Sequence, residues 1–137
     1  MTYLTKQYKF CAAHRYWNPN WSDDKNYEIF GEDVRIHGHN YILDITLSGP
    51  IDENSGFICN LFELNELVQS HVLDVMDHSQ IQLDIPWFEL KQPSTENMVV
   101  FIWGQIKSKI PRPANLYSIK LRETPTIFTE YFGPEGK

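Results

Sequence analysis

Hydrophobic and polar positions alternate in two stretches of the chain and recur at helical spacing in two others. Between His39 and Ser48, Tyr41, Leu43, Ile45 and Leu47 alternate with Asn40, Asp44, Thr46 and Ser48, and only Ile42 breaks the polar row. A period of two sends one row to a core and the other to water, so the segment predicts a half-buried strand. Leu116 to Arg122 alternates again, with Leu116, Ser118, Lys120 and Arg122 against Tyr117, Ile119 and Leu121. Tyr3 to Ala13 mixes apolar and polar residues at short period and reads as a first strand; Thr126 to Phe132, rich in β-formers, reads as a last one. Leu64, Leu67, Val68, His71, Val72 and Val75 follow a helical period from Asn60 to Val75, with Asn60 as cap and Glu63 at the capping-box position. Met98, Val99, Ile102 and Ile106 stripe a second helix from about Thr95 to Ile110, which Pro111 and Pro113 end.

Three connections complete the outline. Tyr16 to Phe30, with Asn18-Pro19-Asn20 and Ser22-Asp23-Asp24, reads as a long surface loop. Gly49-Pro50 and Asn54-Ser55-Gly56 turn the chain toward a short strand at Phe57-Ile58, and Asp77 to Pro93, with two prolines, reads as irregular. The order ββααββ predicts an α+β fold, an antiparallel four-stranded sheet with two helices. Such a sheet has two open edges, which association with further copies would close.

Composition narrows the class. The chain has 137 residues, 42% hydrophobic and 22% charged, which fits one globular domain over residues 1–137. A net charge of −6 without a basic stripe argues against nucleic acid. No apolar run reaches the ~20 residues that span a bilayer, and the start MTYLTKQYKF is unlike a signal peptide, so the expected compartment is the cytoplasm. Cys11 and Cys59 are too few for a disulfide scaffold and read as small buried hydrophobes.

The histidines carry the candidate chemistry. His37-Gly38-His39 opens the clearest strand, and positions i and i+2 of a strand share a face. His14 ends the first strand, so antiparallel pairing of the two would bring it to His37 and His39. Three histidines and an open position suit a catalytic zinc. His78 follows Asp77, a carboxylate that can fix its tautomer for proton transfer, and His71 sits on a helix's apolar stripe as a core or interface residue.

Phe10-Cys11-Ala12-Ala13-His14-Arg15, His37-Gly38-His39-Asn40-Tyr41, Asp77-His78, Ser94-Thr95-Glu96-Asn97 and Glu123-Thr124 together give the chain a resemblance to the 6-pyruvoyl-tetrahydropterin synthase and 6-carboxy-tetrahydropterin synthase family. The resemblance runs nearly end to end. It implies the tunnelling fold (T-fold), with subunits joined edge to edge into a barrel, commonly a hexamer of two trimers. It further implies Zn2+ on His14, His37 and His39, a reduced pterin triphosphate as substrate, and Glu123 as anchor of the pterin ring, with Thr95 and Glu96 beside it. Asp77 and His78 would be two members of a proton-transferring triad, offered across a subunit interface. The family's usual third member, a cysteine shortly before His-x-His, is absent: Glu32 and Asp33 stand there, Asp33 at the aligned position. A carboxylate base is weaker than a thiolate, and some members with one resemble enzymes that leave a hydroxymethyl group. The expected function is therefore a zinc-dependent pterin lyase. The alternatives are a side-chain-cleaving variant and a non-catalytic zinc-containing pterin- or purine-binding homologue.

Overall fold

A computed structural model describes residues 1–136. Four strands form one antiparallel sheet in the order β1-β2-β3-β4: β1 Thr2–His14, β2 His37–Gly49, β3 Asn115–Thr124 and β4 Ile127–Tyr131. The long β1–β2 pair runs from Thr2 opposite Gly49 to His14 opposite His37. Its register sets the site, because residues directly opposite each other share a face.

The apolar row of β2 points as the alternation predicts. Tyr41, Leu43, Ile45 and Leu47 are wholly buried, joined by Tyr8 and Phe10 of β1. The third strand differs from its pattern. Leu116 is buried, and so are Ile119 and Leu121, which the alternation sets on the other face. A β-bulge explains this: Thr46 pairs with Ser118 but Leu47 with Leu116, so Tyr117 is an extra residue and the inward row changes parity there.

The first predicted helix is α2 Leu61–Val68, a π turn over Gln69–Leu73, and α3 Asp74–Met76. Asn60 caps it, its side chain accepting from the Phe62 N–H at 2.9 Å. Leu64, Val68, Val72 and Met76 are all wholly buried. Each step of four overshoots a full turn by about 40° in a helix of 3.6 residues per turn. The wider π turn takes part of that back and keeps the four on one stripe. His71, in the π turn, is half-buried, its Nδ1 lying 2.8 Å from the Ser70 hydroxyl. The second predicted helix is α5 Thr95–Ile106, capped by Ser94 and continued by a 3-10 turn, Lys107–Lys109.

Three connections depart from expectation. The supposed loop from Tyr16 to Phe30 contains a helix, α1 Asp23–Phe30, so the order is not simply ββααββ. Its only buried residue is Asn26, which is why no apolar stripe announces it; Ser22 caps its start and Gly31, at φ +57°, ends it. Phe57-Ile58 is not a strand, since the Phe57 carbonyl accepts from the Asp52 N–H and closes a turn. Asp77 to Pro93 holds α4 Ile81–Asp84 and a 3-10 turn at Pro86–Phe88, which bury Ile81, Ile85 and Phe88. Among the described residues no helix is long and apolar enough to cross a membrane.

Candidate metal and ligand site

His14, His37 and His39 meet at one end of the sheet. His14 lies opposite His37 in the ladder and Ala12 opposite His39, so all three imidazoles share the face that carries the core. Their ligating atoms lie within 4.8 Å of one another. His14 Nδ1–H donates to the Pro93 carbonyl at 2.7 Å and His37 Nδ1–H to the Arg35 carbonyl at 2.8 Å. A carbonyl can only accept, so both rings are held in the tautomer that leaves Nε2 bare. The Nε2 atoms of His14 and His39 are buried without a hydrogen-bond partner. Orphaned nitrogens of this kind are costly in an apolar setting, and three convergent imidazoles are the donor set a zinc ion satisfies.

Burial and the neighbouring imidazoles depress the pKa values of His14 and His39. The His14 pKa is lowered to about 4, first by desolvation and then by the neighbouring histidines, against the opposing bond to Pro93. Desolvation and His37 lower that of His39 as well. Neutral imidazole is the form that binds a metal.

Carboxylates surround the cluster. Glu123 Oε1 on β3 is 3.5 Å from His39 Nε2, and burial raises its pKa. Glu96 and Asp33 act on Glu123 electrostatically, so both face the same volume. Thr95, at the start of α5, is buried and shares a 2.8 Å hydrogen bond with Thr129 of β4. Tyr16 and Tyr41 face the same charges, and their hydroxyl pKa values rise chiefly through burial.

Of the two acids before His37, the structure brings Asp33 to the cluster. Its carboxylate is 3.9 Å from His37 Nε2, while Glu32 has no contact with the histidines among the described residues. The cause lies in the segment read as a loop. Tyr16, two residues past His14, donates its N–H to the Asp33 carbonyl at 3.0 Å, and the 3-10 turn Gly31–Val34 follows directly on α1. Asn26 braces the approach: its amide donates to the Asn18 carbonyl and accepts the Asn18 N–H.

Asp77 and His78 lie elsewhere, just after α3 and against the edge of β1, exposed, with Asp77 Oδ1 3.1 Å from His78 Nδ1. Their neighbour is Cys11, whose sulfur is 3.8 Å from His78 Nε2. The reading of Cys11 as a buried hydrophobe is thus corrected; it is partly exposed, on the face away from His14, whereas Cys59 is buried as expected. Sequence reasoning missed this contact because residues 11 and 78 meet only when the segment after α3 docks on the edge of β1.

The profile of a family described as "6-pyruvoyl tetrahydropterin synthase" matches residues 3–134. A Drosophila melanogaster protein named 6-pyruvoyl tetrahydrobiopterin synthase is 37% identical over 98% of this chain and 81% of its own length. A Bacillus subtilis protein named 6-carboxy-5,6,7,8-tetrahydropterin synthase is 30% identical over 80% of this chain and 76% of its own. The solved structure of Caenorhabditis elegans 6-pyruvoyl tetrahydropterin synthase superposes with a TM-score of 0.90 at 31% identity, covering 96% of this chain and 95% of that one.

Proposed function

Because the chain belongs to the 6-pyruvoyl tetrahydropterin synthase family, we propose that it is a zinc-dependent lyase acting on 7,8-dihydroneopterin triphosphate or a close relative. The product would be a 6-pyruvoyl- or 6-carboxy-tetrahydropterin. The observation that carries this reading is the convergence of His14, His37 and His39, two of them with buried, unpartnered nitrogens. These three would hold the ion, which when bound supplies Lewis acidity toward the side-chain hydroxyls of the pterin.

The remaining residues bind the ring and move protons. Glu123, half-buried behind His39, would accept hydrogen bonds from the ring's amino and N–H donors, with Thr95 and Glu96 flanking it. Asp33 would take a carbon-bound proton beside the cluster, as a carboxylate in place of a thiol. Asp77 orients His78, and that pair would hold or return a second proton. The edge of β4, and the edge of β1 outside the stretch that residues 77–80 cover, support assembly of several copies into a ring.

A carboxylate at position 33 also supports a second reading, cleavage of the side chain to leave a hydroxymethyl pterin. A third, pterin binding without turnover, follows if no group replaces the thiol. Incubating zinc-loaded protein with 7,8-dihydroneopterin triphosphate and identifying the pterin products decides among them. Pyruvoyl or carboxy product is the expected outcome. Tight binding with no turnover would sink the lyase reading.

A further inference from the structure

Cys11, His78 and Asp77 form a second cluster of reactive groups, outside the histidine site. The sulfur is 3.8 Å from His78 Nε2, and Asp77 Oδ1 is 3.1 Å from His78 Nδ1. A carboxylate at Nδ1 fixes the proton there and leaves the Nε2 lone pair toward the thiol, the order of parts found wherever a side-chain nucleophile or base is activated through an imidazole. The Cys11 N–H donates to Asp77 Oδ1 at 3.0 Å and holds that carboxyl below its usual range, with His78 adding to the effect.

The backbone is arranged for this contact. His78 has φ +62°, a left-handed conformation that only one non-glycine residue adopts among those described. Such conformations persist where surrounding structure enforces them. Here the His78 N–H donates to the Cys11 carbonyl at 2.6 Å and the Ala13 N–H to the Ser79 carbonyl at 2.8 Å, pinning residues 77–80 along the edge of β1. A hollow of about 350 Å³ opens at the cluster, bordered by Cys11, Ala13, Gly38, His39, Asn40 and His78. Its floor is Ala13 and Gly38, opposite each other in the ladder, the two smallest side chains available.

We propose that Cys11, His78 and Asp77 are a thiol proton relay, in which Cys11 supplies from β1 a second base that acts beside Asp33, on the second proton given above to the Asp77–His78 pair. His78 Nε2 takes the Sγ–H proton. The thiolate takes a proton from a side-chain carbon of the pterin, whose C–H electron pair becomes part of a new carbon–carbon double bond as the adjacent C=N or C=O double bond becomes single. The proton on His78 passes to that nitrogen or oxygen, so the relay ends as it began and no external oxidant or reductant is needed. The role in pterin chemistry rests on the function proposed above; the relay itself does not.

Two measurements separate these levels. The first is the rate at which iodoacetamide alkylates Cys11 at pH 7, read by peptide mass spectrometry against glutathione. The expected rate is about tenfold or more above glutathione, falling to that of glutathione in His78→Gln and Asp77→Asn. A Cys11 rate at or below that of glutathione, or one indifferent to His78→Gln, overturns the relay whatever the enzyme does. The second is turnover and solvent-deuterium incorporation into the pterin by Cys11→Ala and Cys11→Ser, with zinc content and pterin Kd measured alongside. Loss of about a hundredfold in kcat at unchanged Kd and zinc content supports the relay; wild-type turnover in both variants overturns it. Fast, His78-dependent labelling in a wild-type protein that turns over no pterin refutes the pterin reading and leaves the activated thiol standing.

Discussion

His14 concentrates the physics of the site in one residue. It has no exposed surface, its Nδ1 is committed to Pro93, and desolvation lowers its pKa to about 4. An unfolded chain protonates this ring near pH 6.5, and the folded chain does not. Below that pH the unfolded state binds the extra proton, so stability from this group is complete above about pH 6.5 and is lost as pH falls toward 4. Urea unfolding of the metal-free protein should show this decline, worth up to ~3 kcal/mol at pH 4, and His14→Gln should flatten it. A second expectation concerns the ligands: His37→Ala should abolish stoichiometric zinc in metal analysis, and full retention would refute the assignment. Between the two acids, Asp33→Asn should cost about a hundredfold in turnover, and Glu32→Gln far less, because only Asp33 reaches His37. The opposite ranking would move the base by one residue. The three histidines were legible in the sequence because strand alternation and one antiparallel register suffice to bring them together. Asp33 over Glu32 was not, since the choice is made by the bond from Tyr16, which no periodicity encodes.

At the scale of elements, what was legible is what buries an apolar stripe. β2, α2 and α5 announce themselves because Leu43, Leu64 and Ile102 and their periodic neighbours must leave water. α1 does not, because its one buried residue is Asn26, held by hydrogen bonds to Asn18, and its aromatic contacts, Phe30 on Tyr16 and Tyr27 on Trp17, form no buried apolar stripe. The parity change in β3 was equally hidden, since a bulge adds one residue without altering composition. Packing between α5 and the end of β4 yields a test of its own. Gly133, at φ +96°, lies where a Cβ would stand 2.7 Å from the Trp103 ring. Both the backbone and the contact resist a side chain, so Gly133→Ala should lower stability by about 1–3 kcal/mol. Denaturant midpoints check this, and zinc stoichiometry should hold because the His cluster lies at the other end of α5, near Pro93 and Thr95. An unchanged midpoint would mean that the Trp103 ring yields at little cost.

At the scale of the whole molecule, the sheet is incomplete along both edges, and the edge of β1 shows how it would be completed. Cys11 and Ala13 direct their N–H groups outward, to Asp77 and to Ser79, so the odd-numbered positions of β1 face away from β2. The same alternation turns the N–H of Lys9 outward, beyond the stretch that residues 77–80 cover. Lys9→Pro therefore removes a donor that the β1–β2 ladder does not use, while an edge strand tolerates the ring. If copies join through this edge, light scattering of Lys9→Pro should give a smaller assembly than wild type, with zinc stoichiometry preserved in each chain. Retention of the wild-type mass would show that the ring, if one forms, closes through other surfaces. The outcome bears on the chemistry as well. Cys11 and His14 lie on opposite faces of β1, so the relay and the histidine cluster of one chain do not face each other across the sheet. A pterin held by one cluster would then meet the relay of a neighbouring copy. On that geometry Lys9→Pro should lose turnover together with mass, although every residue of both sites is intact.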